Sequence, residues 1–210
     1  MSLVENLNWR YATKKMNGKI IPADKLQYVL DAAKLAPSSA GLQPYSIIVI
    51  SNKALLQKIK PVAMNQGQIT EASHLLVFAA WDSYTEERIV TELDAIATER
   101  GLPASAMDEY KTKLLGLYAT KSSDWHFNHA SKQAYISFSL AIAAAAEQKI
   151  DATPMEGFDP TGLDELLGLK EKGLKSAVIL ALGYRDEPND WLVNMKKVRR
   201  ADELFFIRLN

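Results

Sequence analysis

The sequence predicts an α+β protein in which a central sheet is covered by helices, and three observations carry that expectation. First, Tyr45 to Ile50, His74 to Trp81 and Ser176 to Tyr184 are short segments that are almost continuously apolar. Strands apolar on both faces need helices above and below the sheet. Second, the intervening segments repeat apolar residues at helical spacing. Third, 210 residues at 48% hydrophobic and 24% charged supply enough apolar material for a core, with no flexible linker or repeat to divide it. A single domain over residues 1–210 follows.

The elements can be justified in order. A helix runs from about Asp24 to Leu35, with Leu26, Val29, Leu30 and Ala33 on one face. Pro22 stands before it, and Pro37 stops it, because proline lacks an amide hydrogen and turns its neighbour away from the helical region. Tyr45 to Ile50 is β-branched and short, as a buried strand requires. Ser51 reads as the N-cap of a helix towards Lys60 that ends at Pro61. After the strand His74 to Trp81 come two charged helices, Thr85 to Arg100 and Ala104 to Tyr118, separated by Gly101 and Pro103.

From about Asp124 to Lys149 lies the least polar helix, with Ile136, Phe138, Leu140, Ile142 and the alanines 143–146. Its small residues suit close packing at the centre, and its apolar character on several sides suits a dimer interface. Asp159 caps a last short helix that has Pro160 in its first turn.

Composition excludes several classes of function. Twenty-five cations balance 25 anions, so no global field draws nucleic acid or an anionic membrane. Without cysteine there is no disulfide, no thiolate nucleophile and no Cys-ligated metal. No basic segment with an apolar run opens the chain, and no apolar stretch is long enough to span a bilayer. A cytoplasmic location is the expectation.

Candidate chemistry lies in loops and at the ends. Arg10 and Lys14 are surrounded by Lys15 and Lys19, and Lys197 and Arg199 by Lys196 and Arg200. Either segment alone reads as solvated surface. Together they could clamp a phosphate through charge-assisted bonds. Pro37-Ser38-Ser39-Ala40-Gly41-Leu42-Gln43-Pro44 has more hydrogen-bonding groups than a turn into a strand requires, and such loops often carry cofactor sites. In Pro154-Met155-Glu156-Gly157-Phe158, a glycine lets a flat ring approach the main chain.

Other patterns carry less. His126-x-x-His129 has helical spacing for a metal, but His74 is the sole further histidine, so capping or surface roles fit better. Gly168 to Ser176 imitates a phosphate-binding P-loop, yet has an extra residue before Lys175 and precedes a strand instead of following one. Neither a dinucleotide-binding Gly-x-Gly-x-x-Gly nor a nucleophile elbow is present. Tyr110, Tyr118, Trp125 and Phe127 read as core packing before substrate stacking.

The ordered set Arg10-Tyr11-x-x-Lys14, Pro37-Ser38-Ser39-x-x-x-Gln43-Pro44-Tyr45, Asn65-x-x-Gln68, Glu71-Ala72-Ser73-His74, Pro154-x-Glu156-Gly157-Phe158 and Lys197-x-Arg199 resembles the nitroreductase family. It is most similar to the branch of oxygen-insensitive NAD(P)H nitroreductases and dihydropteridine reductases, with the weakest match between about Asp82 and Lys121. The resemblance implies a nitroreductase-like fold with a central mixed sheet, and a homodimer holding FMN at its interface. The C-terminal Leu204-Phe205-Phe206-Ile207 would be exchanged as a strand.

By the same resemblance, Arg10, Lys197 and Arg199 would hold the FMN phosphate, in a segment shared with Tyr11 and Ala12. Close relatives often carry serine where Ala12 stands, which removes one phosphate contact. Lys14 would reach the ribityl chain or the pyrimidine edge. Asn65 and Gln68 would bond the O2–N3–O4 side, and Glu156 and Gly157, in the cofactor-binding segment that Pro154 opens, would bring backbone amides near N5. Pro37, Ser38 and Ser39 would arrive from the other subunit. Some relatives have lysine in place of Gln68, so Lys14 would carry more of the stabilisation of the reduced ring.

The implied activity is reduction of nitroaromatics, quinones or pterin-like acceptors by NAD(P)H, in ping-pong fashion through flavin N5, with no metal and no nucleic-acid or membrane partner. The alternatives are a flavin-binding or redox-sensing module, or flavin-cleaving or dehalogenating chemistry.

Overall fold

The computed structural model describes residues 2–209, and its architecture is α+β. One four-stranded sheet is formed by β1 (Tyr45–Ile50), β2 (His74–Trp81), β3 (Asp151–Met155) and β4 (Leu174–Gly183), in the order β1-β2-β4-β3. The first two strands stand at their expected bounds. The last starts at Leu174, directly after Gly173, whose φ of 63° makes the preceding turn.

The sequence hides β3 as a strand, because its Pro154 cannot donate to a ladder. The sheet order places it at an edge, where proline is tolerated, and Pro154 pairs in register with Leu180.

Nine α-helices surround the sheet among the described residues: α1 (Leu3–Trp9), α2 (Ala23–Lys34), α3 (Lys53–Val62), α4 (Gln68–Glu71), α5 (Glu86–Glu99), α6 (Asp108–Ala119), α7 (Ser123–Glu147), α8 (Pro160–Leu167) and α9 (Asp202–Phe205). α1, α4 and α9 are too short to show a period in sequence. The cap of α3 is Asn52, not Ser51: its side chain accepts from the Leu55 amide at 3.0 Å, and Pro61 sits inside the last turn. Thr85 and Asp159 cap α5 and α8 through the amides of Arg88 and Thr161. A 3-10 turn over Ala104–Met107 leads into α6.

Alternate residues of β2 and β4 feed opposite faces of the sheet, as the strand period of two dictates. On one face Leu76, Phe78, Val178 and Leu180 meet α2 and α7 through Val29, Ala33, Phe138 and Ala141. The Phe78 and Phe138 rings lie edge to face at 5.3 Å. On the other face Leu75, Val77 and Ile179 meet Leu56 and Ile59 of α3 and Leu163 of α8. Each such aliphatic side chain contributes about 1.5–3 kcal/mol by leaving water.

One expectation needs correction. The sheet is not mixed within this chain: every pairing between its strands is antiparallel. A parallel neighbour would need a further strand, and Leu204 and Phe205 form no strand here. They close α9, whose first turn carries Asp202 and Glu203, the charges a helix N-terminus favours. Phe206 beyond it is extended.

Candidate cofactor site

The site starts at the C-terminal end of α1, where Trp9 to Met16 cross the ends of β3 and β4. Asp151 at the start of β3 is buried and receives the Arg185 guanidinium at 2.6 Å and the Arg185 amide at 2.8 Å. The same guanidinium lies 4.4 Å from the Trp9 ring centre and 4.6 Å from that of Tyr11. Such stacking suits the weakly hydrated, planar arginine group.

A second buried carboxylate, Asp190, draws the two ends of the chain together. It accepts from the Tyr11 hydroxyl at 2.9 Å, the Lys14 amide at 2.9 Å and the Leu192 amide at 3.0 Å. Burial works to raise its pKa, but the Leu192 and Lys14 amides and the Tyr11 phenol together hold it below the ordinary value.

This framework brings five cations, Arg10, Lys197 and Arg199 with Arg185 and Lys196, to one cavity of about 500 Å³, lined also by Tyr11, Ala12 and Met195. Arg10 donates to the Ala152 carbonyl at 3.3 Å, while its buried Nε has no partner. Lys197 donates to the carbonyls of Leu7 and Arg10 at the end of α1, where the helix dipole favours a cation. Arg199 donates to the Val198 carbonyl at 2.7 Å.

Burial and then Arg199 push the Arg10 pKa down. Burial, then Arg10 and Arg199, push Lys197 down. The acid nearest to Arg10 in effect, Asp151, is already engaged by Arg185. Repelling cations with an orphaned donor make an anion site.

Beside them the main chain is tied to the turn after β3. The Thr13 carbonyl accepts from Thr153 Oγ1 at 2.8 Å and from Gln68 Nε2 at 3.2 Å. Gln66 donates to the Gly157 carbonyl at 2.8 Å, and Tyr135 donates to the Glu156 carboxylate. Among the described residues the Glu156 and Gly157 amides donate no hydrogen bond. A Cβ at Gly157 would lie 3.1 Å from Met64 Sδ, a contact that the exposed Met64 side chain would have to relieve by a small shift. Met64 and Asn65 have φ of 53° and 54°, a left-handed pair of the kind that clusters at functional loops.

The structure thus gathers Arg10, Tyr11, Ala12, Lys197 and Arg199 around one cavity. It places Lys14, Gln68 and Pro154 beside it through the Thr13–Thr153 tie, with Asn65, Glu156 and Gly157 at the adjoining turn. Gln68 is buried and spends its amide on Thr13. Pro37, Ser38 and Ser39 are elsewhere. They precede β1, at the opposite edge of the sheet, and Ser39 is tied to Gln133 of α7 at 2.8 Å. Tyr45 aligns through Ala80 with Lys175, whereas Ala152 aligns with Leu182. Three strand spacings across and seven residues along separate these corners by about 25 Å.

Asp190, Arg185, Gln66 and Tyr135 carry no mark in the sequence. Each acts on a residue remote in sequence, so no local spacing marks it. The His126–His129 pair belongs to an aromatic cluster: His129 Nδ1 lies 2.7 Å from the Tyr84 hydroxyl, and Tyr84 stacks on Tyr118 at 4.4 Å. Gly168 to Ser176 forms the turn from α8 into β4. Chemically, the arrangement fits a phosphate at the cations and a flat group with a polar edge at the open amides.

Comparison with known proteins gives the same direction. The model of the "Nitroreductase family" matches residues 7–184. The "Major NAD(P)H-flavin oxidoreductase" of Aliivibrio fischeri is 29% identical over 213 residues, covering 96% of this chain and 95% of that protein. The "Oxygen-insensitive NAD(P)H nitroreductase" of Salmonella typhimurium is 30% identical, over 88% of this chain and 89% of its own. An Exiguobacterium sibiricum protein assigned as a nitroreductase, crystallised in complex with FMN, shares the fold with a TM-score of 0.83 at 18% identity, covering 100% of this chain and 98% of that one.

Proposed function

The chain belongs to the nitroreductase family, and from that membership we propose that it is an FMN-dependent NAD(P)H oxidoreductase acting on nitroaromatics, quinones or pterin-like acceptors. The observation that carries the reading is the convergence of Arg10, Lys197 and Arg199 on one cavity, with the Nε of Arg10 buried and unpartnered. FMN, when bound, would supply the redox chemistry between NAD(P)H and the acceptor, in ping-pong fashion.

The work of this chain is binding, orientation and charge. Arg10, Lys197 and Arg199 hold the phosphate, beside Tyr11 and the small Ala12. Lys14, fixed through its amide on Asp190, serves the ribityl chain or the pyrimidine edge. Asn65 serves the same polar edge, and Gln68 supports it through Thr13. Pro154 leads β3 into the Glu156–Gly157 turn, which offers its uncommitted amides to N5. No general acid is required of the protein, because reactant alignment and fixed charge lower the barrier.

The active form in this reading is a homodimer in which Pro37, Ser38 and Ser39 complete the partner's site. Their separation from Arg10 within one chain supports it. So do the strongly exposed Leu204, Phe205, Phe206, Ile207 and Leu209 and the unpaired outer edge of β1. A cavity of about 390 Å³, lined by Leu30, Tyr45, Ile47 and Val49, runs along that edge. An exchanged C-terminal segment pairing there in parallel would make the sheet mixed. No helix among the described residues is long and apolar enough to cross a membrane, and the proposed setting is the cytoplasm.

The test is to reconstitute the protein with FMN and mix it anaerobically with NADH or NADPH. Stoichiometric flavin with rapid bleaching by either is expected. Absence of FMN binding sinks the proposal, whereas binding without bleaching assigns the chain to a flavin-binding module instead.

A further inference from the structure

We propose that Tyr135 is a positioning residue for the Glu156–Gly157 turn: its phenol holds the Glu156 carboxylate towards α7, so that the turn presents amides and not negative charge to the flavin. This inference rests on the FMN reading above.

The turn is tied from three directions. Gln66 donates to the Gly157 carbonyl at 2.8 Å, the Asp159 amide donates to the Val62 carbonyl at 2.7 Å, and Tyr135 donates to Glu156 Oε1. The first two fix the main chain. The third alone fixes a charge. Glu156 is exposed, and among the described residues Tyr135 is the side chain that donates to its carboxylate.

Tyr135 is itself held firmly enough to do this. Its ring sits edge-on to Phe138 at 5.7 Å and packs against the core cluster shared by α2, α7 and the sheet. Burial, followed by the bond to Glu156, raises the phenol pKa, so the group remains a donor across the neutral range.

Electrostatics gives the bond its consequence. An exposed glutamate has flexible torsions, and without a partner its carboxylate can sweep over the adjoining glycine. Gly157 has no side chain to block that path. A negative charge there opposes the negative charge of a reduced flavin, whereas an oxidised ring is neutral and largely indifferent. The phenol therefore acts on the reduction potential more than on FMN affinity. A purely structural tie between α7 and β3 would alter stability and leave the potential unchanged.

The experiment measures FMN dissociation constants and midpoint potentials for wild type, Tyr135→Phe, Glu156→Gln and the double variant. Tyr135→Phe should retain FMN within about two-fold and shift the midpoint to more negative values. The double variant should return towards wild type, because the freed charge is gone. A Tyr135→Phe midpoint equal to wild type, or a double variant as negative as Tyr135→Phe, overturns the inference while leaving the FMN reading intact. Wild type that binds no FMN overturns both. Tyr135→Leu, which also lacks the hydroxyl, takes the same test should the phenylalanine variant not fold.

Discussion

Gln68 donates its side-chain amide to the backbone carbonyl of Thr13 at 3.2 Å from a position only 7% exposed. In the proposed FMN site the residue would therefore act on the flavin edge through the main chain leading to Lys14, and it brings no charge of its own. Replacing it by lysine would keep a donor for Thr13 while adding a cation. We expect Gln68→Lys to raise the FMN midpoint potential, since positive charge favours the reduced ring. Burying an ammonium should also destabilise the apoprotein, by about 1–3 kcal/mol. Potentiometry and urea unfolding of the two proteins measure these effects, and an unchanged midpoint refutes the electrostatic part.

Among the described residues Arg199 bonds only its neighbour's carbonyl, and it depresses the pKa of both Arg10 and Lys197. Removing it relieves repulsion in the free protein and deletes a phosphate donor. Arg199→Ala should weaken FMN binding at least ten-fold, consistent with loss of a charge-assisted bond of about 1.5–3 kcal/mol. Riboflavin, which lacks the phosphate, should bind as to wild type. Apoprotein stability should be unchanged or slightly higher. Fluorescence titration with both ligands decides the matter, and equal losses for FMN and riboflavin would contradict the clamp.

The depressed Lys197 sets a pH dependence whose sign can be worked out. Burial, Arg10 and Arg199 lower its pKa in the free protein, and a bound phosphate anion would raise it again. FMN binding then takes up a proton, so affinity is full below the free-protein pKa and falls as pH rises through it. Apoprotein stability moves the other way: the folded state gives up this proton before the unfolded state does, so stability increases between the depressed pKa and the ordinary lysine value. FMN affinity measured from about pH 7 to about pH 10 should show this decline beyond any seen with riboflavin. Lys197→Arg should flatten it, and an identical slope in that variant excludes Lys197 as the titrating group.

Much of this architecture was legible in sequence where local chemistry and global packing agree. β1 and β2 kept their expected bounds because both are short apolar runs ended by turn-forming residues, although β1, expected as a buried strand, is an edge strand in which only Ile50 is buried. β3 was hidden by Pro154, which only the sheet order reveals as an edge residue. The clamp cations could be identified as an ordered set, yet the carboxylate that organises them, Asp190, bonds mainly to backbone amides and so leaves no side-chain pattern. Likewise, the distance between Ser39 and Arg10 follows from β1 and β3 lying at opposite edges, which no motif encodes.

The Asp151–Arg185 pair underlies the Trp9–Tyr11 segment and offers a stability prediction. Asp151→Asn leaves a largely buried guanidinium without its charge partner, which should cost about 3–5 kcal/mol. Because Arg185 also supports the Trp9 and Tyr11 rings, FMN binding should weaken in the same variant. Arg185→Lys keeps the charge but loses the fork and the stacking, so its loss should be intermediate. Chemical denaturation followed by tryptophan fluorescence ranks the three proteins; a loss below about 1 kcal/mol for Asp151→Asn would mean that the pair contributes little.

Subunit mixing tests where Pro37, Ser38 and Ser39 act. If each site joins the clamp of one chain to the serine loop of another, a heterodimer of Arg199→Ala with Ser39→Trp has one doubly damaged site and one intact site. Each parent homodimer has two singly damaged sites. Co-expression with different affinity tags and tandem purification should therefore recover FMN binding at about half the wild-type stoichiometry, with wild-type affinity at the intact site. Were the loop and the clamp to serve the same chain's site, every site in the heterodimer would carry one lesion and no high-affinity fraction would appear. The sheet geometry favours the first outcome, because about 25 Å separates Tyr45, which follows the loop, from Ala152, whose carbonyl Arg10 bonds.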